Sequence, residues 1–171
     1  MHVLQICAVL LSFVSLLLLL ISLGSNNWVE LIGSNFGLWN LCNSLGCFKL
    51  SSGSSSFEAT RAFMLLGMIA GAVSFFGLCF TFYKSRLGSI SLAKVSAIVS
   101  FAAGTCALIA MSVFTAATTV NGTSSWYGWS FGLGWASFPF FLLTGKYVIE
   151  WEGFIHIQTL FFLDIILKAD P

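Results

Sequence analysis

The sequence predicts an all-α membrane protein built from four transmembrane helices, and three observations carry that expectation. Only 8% of the 171 residues are charged while 58% are hydrophobic, against about 25% charged in ordinary soluble domains. The charges are also segregated: none precedes Glu30, none lies between Val95 and Gly145, and six fall in the last 27 residues. The uncharged stretches are about as long as a hydrocarbon core is thick, so the solvent they match is lipid. A disordered chain, a nucleic-acid binder with a basic face and a soluble enzyme all need polar surface that is absent here. The net charge of +1 carries no information about partners.

The first span covers about residues 3–23. Val3 to Leu23 is apolar apart from Gln5 and three serines, and 21 residues at about 1.5 Å each give roughly 31 Å. A cleaved signal peptide is the competing reading, since Ser22 and Gly24 form a small-x-small pair. The start carries no Lys or Arg, however, and the apolar run exceeds the roughly 7 to 15 residues of a signal peptide. The second span covers about 62–83, bounded by Arg61 and Lys84. The third, about 95–120, is rich in Ala, Ser, Thr and Val, small residues that let membrane helices approach closely. The fourth covers about 127–149 and contains Pro139, tolerated where neighbouring helices satisfy the freed carbonyl.

Orientation follows from the basic residues in short loops. The connection 84–94 holds Lys84, Arg86 and Lys94 with no acid, so it is expected in the cytosol. Both termini then lie in the cytosol, and the loops at about 24–61 and 121–127 lie outside or in a lumen. Cys42 and Cys47 fall in the first of these, on the oxidising side. The glycosylation acceptor Asn121-Gly122-Thr123 falls in the second, close to the bilayer.

Little in the chain points to catalysis. His2 and His156 have no Cys, Asp or Glu at ligand spacing, and no phosphate loop, paired carboxylate or metal motif occurs. No cofactor, metal, small-molecule substrate or nucleic acid is expected, only the lipid bilayer and other membrane proteins. Ser51 to Ser56 has the composition of a flexible loop tip. Cys7, Cys79 and Cys106 lie inside spans and are read as packing residues. A bridge between Cys42 and Cys47 closes a ring of six residues, worth roughly 2 kcal/mol by loop entropy. Two free thiols are the alternative, and a zinc site lacks further ligands in the loop. Gly67-x-x-x-Gly71 and Gly128-x-x-x-Gly132 each place two small residues on one helix face, for packing inside the bundle or for self-association. Trp126, Tyr127, Trp129 and Trp135 suit interfacial anchoring of the fourth helix. Arg61 either snorkels to the interface or holds the outer loop to the helices.

The first outer loop carries Trp28, then Gly37-Leu38-Trp39, then Cys42 and Cys47, with Arg61 heading the second helix. This order on a four-span chain resembles the claudin, peripheral myelin protein 22 and epithelial membrane protein superfamily over about residues 1–145. The cysteine spacing, Ala59 to Met64, and Trp129-Ser130-Phe131 with Leu133-Gly134-Trp135 look most like its lens fibre membrane intrinsic protein branch. The natural killer cell granule protein shares the last segment. The resemblance implies a left-handed four-helix bundle whose outer loops form a small extracellular antiparallel β-sheet, in which the Cys42 and Cys47 bridge pins two strands. Trp28, Gly37, Leu38 and Trp39 would then sit where the sheet meets the bilayer. Leu31-Ile32 and Cys47 to Leu50 are plausible strand pieces by composition.

The resemblance further implies a non-enzymatic structural protein of the plasma membrane or a cell junction. It would act in adhesion and membrane organisation, as a homo-oligomer or with related tetraspan proteins in the same or an apposed membrane. A vesicle or granule membrane protein and a paracellular channel component are the alternatives. Residues 146–171 depart from the family's short polar tail. They suit an amphipathic segment at the inner membrane surface, or a translated intron, because Gly145-Lys146-Tyr147 can be encoded by GGTAAGTAT, which contains a splice-donor consensus. The second reading is preferred on sequence alone. It predicts that abundant transcripts leave this frame after the Gly145 codon, and a contiguous frame through residue 171 on sequencing the messenger RNA would sink it.

Overall fold

The computed structural model describes residues 2–50, 55–83, 86–87, 90–120 and 126–169. In chain order these form α1 (His2–Gly24), β1 (Val29–Leu31), β2 (Ser34–Phe36), β3 (Asn40–Asn43), β4 (Gly46–Lys49), α2 (Ser55–Phe80), β5 (Arg86–Leu87), β6 (Ile90–Ser91), α3 (Leu92–Val120), β7 (Trp126–Tyr127) and α4 (Trp129–Ala169). Asn121, Ser51 to Ser54 and the side chains of His2 and His156 lie outside the described residues.

Three helices, over Val3–Gly24, Ser55–Phe80 and Leu92–Thr119, are long and apolar enough to cross a membrane. No more than 44% of any of these stretches is buried inside the protein. What remains outside is apolar: Ile6, Leu10, Phe13 and Leu17 on α1, Leu66, Ile69, Val73 and Phe76 on α2, Ile98 and Ile109 on α3. Such a surface is stable only against hydrocarbon. α4 completes the bundle, packing on α1 and α3, while α2 packs chiefly on α3. The chain is therefore a tetraspan membrane protein.

One row of buried positions alternates by three and four along every helix. It runs through Gln5, Ala8, Ser12, Ser15, Leu19 and Ser22 on α1, and Thr60, Met64, Gly67, Gly71, Ser74, Leu78 and Thr81 through α2 and the turn after it. On α3 the row is Ala93, Ala97, Ser100, Gly104, Ala107, Met111, Phe114 and Thr118. On α4 it is Ser130, Gly134, Ser137, Phe141, Thr144, Val148 and Trp151. An average repeat of 3.5 residues is the pattern of left-handed supercoiling, because it falls short of the 3.6 of a straight helix. Most of these seam residues are small, which lets the backbones close in without a hydrophobic drive between helices. Several of their hydroxyls bond locally or across the seam, as Ser74 Oγ does to the Ser96 carbonyl at 2.8 Å and Ser100 Oγ to the Phe141 carbonyl at 2.9 Å.

The two Gly-x-x-x-Gly motifs part company here. Gly67 faces the Ala103 carbonyl of α3, and a Cβ there would sit 3.4 Å from it. A Cβ at Gly71 would stand 2.8 Å from the Phe141 ring, so this glycine makes the socket for a fully buried Phe141. Both serve packing inside the bundle. Gly128 and Gly132 do not form a helix-packing pair as expected. Gly128 precedes α4 and admits the Asn27 carbonyl where a Cβ would stand, and Gly132 faces open space.

Helix bounds also differ from those expected, for a common reason: uncharged runs mark what lies in lipid, not what is helical. α2 begins at Ser55 rather than near Ala62, because Glu58 in its first turn is favourable at a helix N-terminus. α3 begins at Leu92, where Ser91 Oγ accepts from the Lys94 N–H at 3.4 Å as an N-cap. The connection 84–94 contains a small hairpin, β5 pairing with β6. α4 does not stop near Ile149 but runs unbroken through Pro139 to Ala169. Its 41 residues span about 61 Å, roughly twice a hydrocarbon core.

The seam predicts an asymmetry between glycines. Gly71→Ala should lower stability by about 1–3 kcal/mol through overpacking against Phe141, whereas Gly132→Ala should be neutral or stabilise by up to about 1 kcal/mol. Thermal unfolding of the two variants in detergent micelles checks this, and equal shifts would contradict the seam.

Candidate functional site

Five strands form one antiparallel sheet in the order β4-β3-β2-β1-β7. Both outer connections therefore contribute, with β7 pairing to β1 through Val29 with Tyr127 and Glu30 with Trp126. Of the strand pieces expected by composition, Leu31 closes β1 while Ile32 falls in the turn, and Cys47 to Lys49 lie in β4. The β1–β2 turn uses Gly33 at φ +82° and the β3–β4 turn uses Gly46 at φ +134°, values that a side chain resists and glycine adopts freely. Cys42 and Cys47 stand directly opposite each other in the β3–β4 pairing and form a disulfide, with Cα atoms 4.0 Å apart.

This sheet is seated on the end of α1. The last carbonyls of a helix have no partner within it, and at the edge of a bilayer water is a scarce substitute. Here the Ile21 carbonyl accepts from the Ser25 N–H at 3.0 Å, the Ser22 carbonyl from the Trp28 indole N–H at 2.7 Å, and the Leu23 carbonyl from the Trp39 indole N–H at 3.0 Å. Trp28 is fully buried, its ring edge-on to Phe114 at 4.7 Å and packed on Phe131 at 6.0 Å. Its backbone N–H donates to the Phe36 carbonyl and its carbonyl accepts from the Gly128 N–H. One residue thus ties α1, β2, the link at Gly128, α3 and α4 together.

Gly37 is required by proximity: a Cβ would come 2.5 Å from the Asn26 Cα. Leu38 is fully buried in the same apolar cluster as Trp28, Leu23 and Phe114. Arg61 resolves to the loop-holding role. Its Nε donates to the Leu38 carbonyl at 2.8 Å, a terminal nitrogen donates to the Leu50 carbonyl at 3.3 Å, and its guanidinium carbon stands 5.1 Å from the centre of the Trp39 ring. A planar cation suits this combination of fork and stacking. Leu50 in turn donates its N–H to the Trp39 carbonyl at 2.8 Å, carrying the β3–β4 pairing on to the helix end.

Sequence reasoning passed over several supporting residues. Asn35 donates to Asn27 Oδ1 at 2.9 Å and Asn40 to Asn26 Oδ1 at 3.3 Å, and the Asn26-Asn27 pair after a helix was a legible turn signal. Phe57, one turn before Arg61, packs between Phe36 and Phe114 at 5.5 and 5.4 Å; only its spacing from Arg61 hinted at a shared face. Among the described residues no group of three metal-ligating side chains occurs. Trp129 is exposed and Tyr127 stacks on Phe131 at 4.1 Å.

The arrangement defines a class of protein: a tetraspan bundle whose disulfide-stapled outer sheet caps the first helix. Residues 1–148 match the PMP-22/EMP/MP20/Claudin family, and the chain belongs to it. The family is one of non-enzymatic structural membrane proteins. The chain is 28% identical to epithelial membrane protein 2 of Danio rerio, over 80% of this chain and 89% of that protein. It is also 28% identical to the lens fiber membrane intrinsic protein of Rattus norvegicus and to protein NKG7 of Mus musculus, each over 74% of this chain and 78% of the relative. These equal identities do not separate the branches.

Losing either indole N–H while keeping an aromatic ring isolates the capping bonds. Trp28→Phe and Trp39→Phe should each cost about 1–3 kcal/mol by leaving a carbonyl unpaired, and Trp28→Phe should cost more because that site is sealed. Arg61→Lys should recover only part of what Arg61→Ala loses. Unfolding midpoints in one detergent give all four values; a fully restored Arg61→Lys would show that charge, not the fork, is what the site needs.

Proposed function

We propose that the chain acts at contacts between membranes, its outer sheet presenting an adhesive end while the bundle organises neighbouring proteins within its own bilayer. The observation that carries this reading is the far end of the sheet. The turns at 32–33 and 44–45 lie side by side there, since Leu31 pairs with Ser34, Ser34 with Asn43 and Asn43 with Gly46. Three residues of strand at about 3.3 Å each separate this end from Trp28 and the helix. Ile32 is 108% exposed and Leu45 86% exposed at these tips, with Leu31 half exposed beside them. Apolar side chains held out on a rigid, stapled support are costly in water unless a surface meets them.

The orientation belongs to the same proposal. Arg86 and Lys94 lie at the opposite end of the bundle, with Lys84 close by in sequence, and these charges favour a cytosolic position for it. The disulfide at the sheet end suits an oxidising exterior, and Asn121 would be offered for glycosylation on that side. A plasma membrane or junctional site, with both termini in the cytosol, fits this arrangement. The partner is then a second copy or a related tetraspan protein in the apposed membrane. A paracellular pore is the weaker reading, because Glu30, Lys49 and Glu58 are the sole charges between Gly24 and Thr60, too sparse and mixed for a selective lining.

Ile32→Asp with Leu45→Asp should leave surface level unchanged and lower enrichment at contacts between expressing cells several-fold, by imaging a tag placed after Gly53. Unchanged enrichment would defeat the adhesive reading. A tag inaccessible without permeabilisation, in internal vesicles, would favour a granule or vesicle protein instead.

A further inference from the structure

The match to the family ends at residue 148, yet the helix does not, and its continuation is not packed at random. Trp151 occupies the next position of the three-and-four seam after Val148. It is 7% exposed and completes a second apolar cluster with Ala8 of α1, Leu78 of α2, Ala93 and Ala97 of α3, and Val148. All four helices meet in this cluster, at the end opposite the sheet. Beside it, Glu152 accepts a hydrogen bond from Ser91 Oγ and stands 3.9 Å from Lys94 Nζ. Ser91 ends β6 and caps α3, so the carboxylate of Glu152 is held at the first turn of that helix. The Glu152 side chain is 19% exposed and that of Lys94 63%. Screening weakens the ion pair, and the bond from the hydroxyl to a carboxylate is the stronger half of the contact.

We propose that Trp151 and Glu152 form a clasp: the part of α4 beyond the family match closes the bundle at the end away from the sheet and fixes the α3 N-terminus and the β5–β6 hairpin to it. Indole burial supplies the grip and the Ser91–Glu152–Lys94 contact sets the register. A tail unrelated to the domain would not continue the seam by one turn and place a carboxylate on the helix cap, so the clasp opposes the intron reading of residues 146–171. It also gives the C-terminal end of α4 a mechanical connection to the basic connection between α2 and α3. Force or modification on one would be felt at the other.

The test uses the full chain in membranes with Cys7, Cys79 and Cys106 replaced by Ser, Cys42 and Cys47 retained, and Ala93→Cys as reporter. Ala93 is 1% exposed, so its labelling by a small maleimide reports opening of this end. Glu152→Ala should speed labelling about tenfold, as loss of a charged hydrogen bond would. Lys94→Glu and Glu152→Lys should each speed it, and the two together should restore only the smaller, ion-pair part of the slow rate, since the Ser91 hydroxyl no longer meets a carboxylate at 152. Equal rates in all variants would overturn the clasp. A second readout avoids reliance on these substitutions: Ser91→Cys with Glu152→Cys should cross-link on mild oxidation while Ser91→Cys with Ile149→Cys should not. Absence of the first cross-link, or transcripts that end this frame after Gly145, would also overturn it.

Discussion

The structure depends on how the carbonyls at the end of α1 are satisfied. A transmembrane helix that stops at the bilayer edge leaves acceptors where lipid offers nothing. Two indole N–H groups reach back from the loop to fill two of them. This explains why tryptophan is used twice, since no other side chain joins a single donor to so large an apolar body. It also explains the order of the motif. Trp28 must follow α1 closely, Trp39 must return after one hairpin, and Gly37 must let the returning backbone touch Asn26. Arg61 then fastens the returning strand to α2 by its main chain, so the seat holds whatever side chains the sheet carries further out.

The bundle beneath is built inside out relative to a soluble one. Its seams are mostly Ser, Gly, Ala and Thr with a large residue such as Leu19, Met64 or Phe141 at intervals, and many of its other large aliphatic and aromatic residues face outward. Close backbone approach replaces hydrophobic exclusion as the cohesive principle, with a few buried hydrogen bonds, such as Gln5 Nε2 to Thr81 Oγ1 at 2.8 Å, fixing helix heights. The outer third is different. There Trp28, Phe36, Phe57, Phe114 and Phe131 form an aromatic core of the kind found in soluble domains, because this part stands where water begins and burial again has value.

The four spans were legible because lipid imposes length and forbids charge, two quantities any sequence displays. The faces of those spans were not, since seam and lipid sides differ in size more than in hydropathy, and a pattern search for apolar stripes finds no contrast. The Cys42–Cys47 staple and the GLW segment could be placed in one loop from order alone. That the second outer connection joins the sheet followed from the family resemblance alone, because two residues, Trp126 and Tyr127, carry no periodicity and their pairing with β1 is long-range. Gly128 misled for the same reason: its spacing from Gly132 suited a helix, while its use is to let the chain brush Asn27 before α4 begins. The end of α4 was misplaced at Ile149 by treating the membrane boundary as a helix boundary.

The sheet ends in an edge that is shielded in three ways. β4 is an edge strand with all four residues exposed, a geometry that ordinarily invites a neighbour to add a strand. Its brevity, the charge of Lys49 and the covalent tie from Cys47 to β3 prevent it from peeling away to exchange or extend. A neighbour meeting this edge would find side chains to fit against rather than a backbone free to extend.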